Sequence, residues 1–165
     1  TGCRVGIYMM LAKDAGDIAY EIDGGEEIPF DPGDCLRRAG QFTGQGDLQA
    51  VFGFFRELEI LTPEWEELLQ SPTPADWDVR TPALARYLVS RYWLQAVSDY
   101  DLYCRVKLIV ISCLLVQYLG GDIFRTAQLF SKEIENSIDN VEAILDAAYS
   151  NPAFTDDKIL GMLLK

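Results

Sequence analysis

The chain of 165 residues contains no histidine. That absence removes the usual neutral-pH general base and the commonest imidazole metal ligand together, so neither a Ser–His nor a Cys–His catalytic pair can be built from these residues. Cysteine is scarce as well. Cys3, Cys35, Cys104 and Cys113 stand 32, 69 and 9 positions apart and contain no C-x-x-C ligand pair. On a continuous helix Cys104 and Cys113 point to opposite faces, which makes them core fillers. Base is short relative to acid: 14 Lys and Arg against 26 Asp and Glu leave a formal charge of −12. That field repels a phosphate polymer, and Arg80, Arg86, Arg91, Arg105 and Lys107 are too dispersed to override it, so no nucleic-acid partner is expected. The acid surplus suits solubility first and a basic partner surface second. Long apolar runs are missing too. The longest, from Leu108 to Leu119, is interrupted by Ser112 and Gln117 and falls short of the roughly 20 residues that span a bilayer, so it predicts a buried helix, no membrane partner and a cytoplasmic protein. Thr1 to Lys13 lacks the basic-then-apolar order of a signal peptide, and without an initiator methionine the chain reads as a piece of a larger protein whose upstream part is missing.

What is present points to one globular domain, with 49% hydrophobic and 24% charged residues. A chain of this size buries roughly 70% of its extended surface, enough for a core that needs neither disulfide nor metal. The texture changes near Gln45. Residues 1–46 are dense in glycine and proline, with a short helix expected over 5–14, a weak strand signal at Ile18, Tyr20 and Ile22, a turn at Gly24-Gly25 and loop over 23–46. Residues 47–165 carry helical spacing. Asp47 caps a predicted helix from Leu48 to Leu61 whose apolar stripe is Val51, Phe54, Phe55, Leu58 and Leu61. Thr62-Pro63 and Thr81-Pro82 each read as an N-cap followed by proline at the first helical position, separated by a connection from Ser71 to Thr81. The second opens a helix with Leu84, Tyr87, Leu88, Arg91, Leu94 and Gln95 on one stripe, and its aromatics read as packing. A restart near Asp99-Tyr100-Asp101 leads into a central helix from Leu102 to Leu119, ended by Gly120-Gly121. Helices over Asp122 to Glu135 and Ser137 to Ala148 follow, then a break at Asn151-Pro152 and a last helix capped by Thr155. The expected fold is all-α, an irregular bundle of about six or seven helices behind a loop-rich N-terminal segment.

Chemistry is sparse in the pattern. Gly24-Gly25 lacks the strand and helix of a cofactor loop, and Gly44-x-Gly46 reads as a flexible entry to the Asp47 cap. Glu64, Glu66 and Glu67 favour a helix N-terminus through its dipole. Glu133 and Glu135 are two apart, so roughly 200° separates them on a helix and they cannot face one atom together. Glu135 and Lys132 are spaced for a surface pair.

Several runs carry a likeness: Arg91 to Asp101 (Arg-Tyr-Trp-Leu-Gln-Ala-Val-Ser-Asp-Tyr-Asp), Arg105 to Ser112, Phe130 to Ser137 with Asn140, the upstream stretch Glu57 to Leu69, and Phe154-Thr155 with the final Leu-rich helix. In order and spacing they resemble the C-terminal part of the flagellin lysine-N-methylase family, over most of residues 54–165. The resemblance implies a helical domain of an enzyme that transfers a methyl group from S-adenosylmethionine to lysine side chains of flagellin or another lysine-bearing protein. It also implies an upstream cysteine-rich region with an iron–sulfur cluster or other metal. Gly2-Cys3 resembles the end of that region, so Cys3 would be an orphan metal ligand, and this chain alone would be metal-free and inactive, since one thiolate cannot hold a cluster that takes four. Asn136 stands where the family pattern has histidine, a departure that weakens a catalytic role for Glu133 or Glu135. The candidates for a shared polar site are Tyr100, Asp101, Lys107, Glu133 and Asn140. The competing expectation is a non-catalytic helical module that binds a partner protein or an apolar ligand between its helices.

Overall fold

The computed structural model describes Arg37, residues 45–73 and residues 78–163. The expected elements between residues 5 and 25, and Cys3, lie outside these; Arg37 is exposed and helical. The described residues form an all-α fold with seven α-helices of eight residues or more.

Helix α1 (Leu48–Glu57) starts where Asp47 accepts the Ala50 N–H at 3.0 Å, and it buries Val51, Phe52 and Phe55. The sequence predicts continuation to Leu61. It stops instead at Leu58, whose backbone is extended, because Glu133 and Asn140 take hydrogen bonds from the backbone of residues 59–61. Helix α2 (Pro63–Gln70) begins as expected, with Thr62 as cap and proline at the first position. Arg56 of α1 donates to the Leu69 carbonyl at 2.7 Å, satisfying an acceptor that the end of α2 leaves open.

Helix α3 (Thr81–Tyr92) also begins at its Thr-Pro signal, but Thr81 is not a cap. Its hydroxyl is buried and donates to Gln117 Oε1 at 2.8 Å. The buried stripe is Thr81, Ala85, Leu88 and Tyr92, about one residue step round from the stripe that spacing alone suggests, while Leu94 is 72% exposed. A 3₁₀ turn (Trp93–Gln95) leads to the short α4 (Ala96–Asp99), and Tyr100 reverses the chain at φ 57°.

Helix α5 (Leu102–Leu119) has the predicted boundaries and a nearly uniform apolar surface. Its 18 residues would also suit a membrane span by length and hydropathy, but 83% of it is buried against the helices around it. It is the axis of the fold, touching α3, α4, helix α6 (Ile123–Phe130), helix α7 (Ile138–Ser150) and helix α8 (Asp156–Leu163). At its end Gly120 adopts φ 77°, and a Cβ there would lie 1.8 Å from the Thr73 carbonyl oxygen. Only glycine admits both the positive φ and the approach of residue 73, whose N–H bonds the Leu119 carbonyl at 3.1 Å.

The predicted helix over Asp122 to Glu135 is not uniform. After α6 the chain widens into a π turn (Ser131–Glu135), with the Asn136 N–H reaching the Ser131 carbonyl at 3.2 Å. Helix α7 then starts at the Ser137 cap, and a 3₁₀ turn (Pro152–Phe154) precedes α8. Aromatic edges close the core, with Trp65 against Phe130 and Phe54 against both Phe55 and Phe154.

Candidate functional site

The five residues expected to share a site fall into separate surroundings. Tyr100 is 90% exposed at the α4–α5 reversal. Asp101 caps α5, accepting the Cys104 N–H at 3.1 Å, and also accepts the Tyr149 hydroxyl at 2.7 Å. Lys107, six residues on, is buried. Its Nζ donates to the carbonyls of Ala148 at 2.9 Å and Phe154 at 2.8 Å and pairs with Asp156 at 3.1 Å, under the Tyr103 ring. An ammonium has three N–H bonds, and all three are matched here. Lys107 therefore ties the ends of α7 and the 3₁₀ turn, and the start of α8, to the central helix, leaving no donor for a substrate.

Glu133 and Asn140 form a second junction. The Glu133 carboxylate is fully buried and accepts from the Leu61 N–H at 2.7 Å and from the Thr62 hydroxyl. It stands at the N-terminus of α2, where the helix dipole favours a negative charge. Asn140 accepts the Glu59 N–H at 3.1 Å and donates to the Glu59 carbonyl at 2.9 Å and the Glu133 carbonyl at 2.8 Å. Together they clamp the bend between α1 and α2. The structure thus joins Glu133 to Asn140 directly, and Asp101 to Lys107 through Tyr149, Tyr103 and Asp156, with no hydrogen bond described between the two pairs.

Glu135, set aside at the sequence level as half of a surface pair with Lys132, has a different partner. Its side chain is only 1% exposed and meets Arg91 Nε at 2.8 Å. It also accepts the Tyr87 and Tyr92 hydroxyls, each at 3.2 Å. Burial, then the Glu135 charge, pushes the Tyr92 phenol up to about 12; the same two causes raise Tyr87. The hydrogen bond to Tyr92 and the Glu135 charge raise Arg91 further. Glu133 and Glu135 face opposite ways, as their spacing predicts, one toward α2 and one toward α3. What spacing could not give was the identity of Arg91 as the partner, since it lies 44 residues away in sequence.

This cluster stands at one end of an open groove between α3 and α6, about 380 Å³ in volume. Ala83, Leu84 and Tyr87 wall one side and Ile123, Phe124 and Ala127 the other, with Ser131 at the π turn and Arg80 lining it as well. Arg80 stacks over the Phe124 ring at 4.9 Å, chelates Asp78 through two hydrogen bonds and reaches Asp122 at 3.3 Å. The Arg80 guanidinium holds the Asp78 carboxyl down at about 2. Asp122 is lowered too, first by the Arg125 backbone N–H that it caps. The groove lining has the 3–4 spacing expected of a packed stripe, and Phe124 and Tyr87 are 63% and 47% exposed along it. A second run of apolar residues at helical spacing beside the buried one, Leu84 and Tyr87 beside Ala85 and Leu88, is the sequence signal that could have located it.

Among the described residues no group of three or more Cys, Asp and Glu side chains gathers as a metal site. Cys104 and Cys113 are both buried, in keeping with core packing. Comparison with protein-family models, curated proteins and solved structures returns no match to this chain.

Proposed function

We propose that the described bundle is a helical binding module whose working surface is the groove between α3 and α6. The observation that carries this reading is a pair of helices whose groove-side apolar residues follow core spacing while Tyr87 on one and Phe124 on the other stay open to solvent. At about 380 Å³ the space suits a few apolar side chains, and two walls running side by side, the start of α3 beside the start of α6, match the way an amphipathic helix lays its i, i+3, i+4 and i+7 residues into a partner. Lys107, Glu133 and Asn140 support it from the other side: their polar atoms are engaged in holding helix ends and the α1–α2 bend. A ¹⁵N-labelled chain titrated with a synthetic leucine-faced helical peptide should shift the amides of Ala83, Leu84, Ile123 and Ala127, and Leu84→Asp should abolish the shifts. Shifts confined to other surfaces, or none, would reject the groove as the docking site.

A second reading is the lysine N-methylase function that the family resemblance implies, with S-adenosylmethionine as donor and flagellin as substrate. The observation in its favour is the meeting of Tyr87, which lines the groove, with the buried Tyr92 and Glu135, since aromatic faces and a carboxylate suit an alkylammonium group. Arg91 already fills that role in part. Mass spectrometry of flagellin incubated with the full-length protein and the methyl donor tests it; an unmodified lysine population rejects the assignment.

A further inference from the structure

Around the groove the charge is close to balanced, unlike that of the molecule as a whole. The chain carries −12, yet helices α3 and α6 contain no acidic residue and hold Arg86, Arg91 and Arg125, with Arg80 just before α3 and Lys132 beside Glu133 and Glu135 in the π turn. Three of these cations are matched: Arg80 by Asp78 and Asp122, Arg91 by Glu135, and Arg125 by Glu64. Arg86 and Lys132 are exposed, and their side chains have no ion pair or hydrogen bond among the described residues.

Their placement is specific. On α3 the core side chains Thr81, Ala85 and Leu88 stand one step of about 100° to one side of the groove residues Arg80, Leu84 and Tyr87, and Arg86 stands one step to the other side. On the opposite wall Lys132 directly follows the groove residue Ser131 and points outward, away from the buried Thr126, Leu129 and Phe130. Each wall therefore passes from core to groove to a cationic shoulder. We infer that the groove takes an amphipathic helix bearing acidic residues on both sides of its apolar face, one row paired with Arg86 and the other with Lys132. This rests on the docking reading above and adds the partner's chemistry, which is the reverse of the basic partner that the net charge suggests.

The complementarity is rim electrostatics. It adds selectivity and association rate while the apolar floor supplies the affinity. Three fluorescein-labelled peptides with one leucine face and flanking rows of Glu, Gln or Lys, titrated into the full chain by anisotropy, separate the two claims. The Glu peptide should bind about five- to tenfold more tightly than the Gln peptide, as two exposed ion pairs allow, and the Lys peptide more weakly than either. The double variant R86E/K132E should reverse that order while melting as the parent chain does, because neither side chain holds a structural contact. Raising the salt should bring the three affinities together. Equal affinities, or an order unchanged by the double variant, overturn the acidic-partner inference and leave the docking reading standing. If none of the peptides binds, or if sedimentation shows that the chain dimerises through this face, both fall.

Discussion

Glu133 and Glu135 sit two residues apart in one π turn and meet opposite fates. Glu133 is sealed among neutral donors and clamps the bend between α1 and α2. Glu135 is almost as hidden, but its partners, Arg91 and Tyr87, are half exposed at the end of an open groove. The difference teaches how to sort polar residues in a fold without histidine. Where a buried polar atom completes backbone groups that would otherwise go unmatched, its role is to specify the chain path. Where the partners are side chains at a surface, the pairing can be rearranged with little loss.

The largest test of that contrast lies at the other buried junction. Lys107→Met keeps the stem but removes three hydrogen bonds, stranding the Ala148 and Phe154 carbonyls beside Asp156. Two buried carbonyls left without a donor cost about 3–5 kcal/mol together, read by urea denaturation, and Asp156, part exposed and still bonded by Tyr103, adds little. Glu133→Ala strands the Leu61 N–H and the Thr62 hydroxyl and should cost about 2–4 kcal/mol. With Asn140→Ala it should form a strongly non-additive cycle, because Asn140 holds the Glu133 carbonyl and the same bend.

Glu135→Gln should cost about 1 kcal/mol or less, since the amide oxygen can still accept from Tyr92. A loss as large as that of Glu133→Ala would erase the distinction between the two carboxylates. The same variant should bring the Tyr92 phenol down from about 12, followed by ultraviolet titration. A phenol raised in the folded state adds stability below its ordinary value of 10.0 and loses it as pH rises through about 12. The smallest effect is expected at the far end of the groove. Asp78 should titrate near 2 by carboxyl NMR and return toward 3.8 in Arg80→Gln. Its depressed value means that its contribution is present above about 3.8 and lost as pH falls through about 2.

The helices were legible in the sequence wherever one local rule decided them. Asp47, Thr62 and Asp101 cap where side-chain chemistry says they should, Gly120-Gly121 ends α5, and the even apolar surface of Leu102–Leu119 marks it as central. Misreadings came where a distant partner competed with the local signal. α1 ends early because Glu133 and Asn140 take the backbone after it, and Thr81 gives its hydroxyl to Gln117 rather than to its own helix. Of the expected site, the polarity of Lys107, Glu133 and Asn140 was legible, but their use was not, because a side chain's partner is set by packing across 40 or more positions.

By itself, then, the sequence determined that the described residues form an all-α fold with a buried central helix, since caps, proline and apolar spacing act within a turn or two. Which stripe of α3 turns inward, which carboxylate is sealed and which is shared with the surface, and that two apolar walls remain open between cationic shoulders, were decided only by the tertiary structure. Those outcomes depend on how helices far apart in sequence divide one limited interior among them, a competition that no local rule contains.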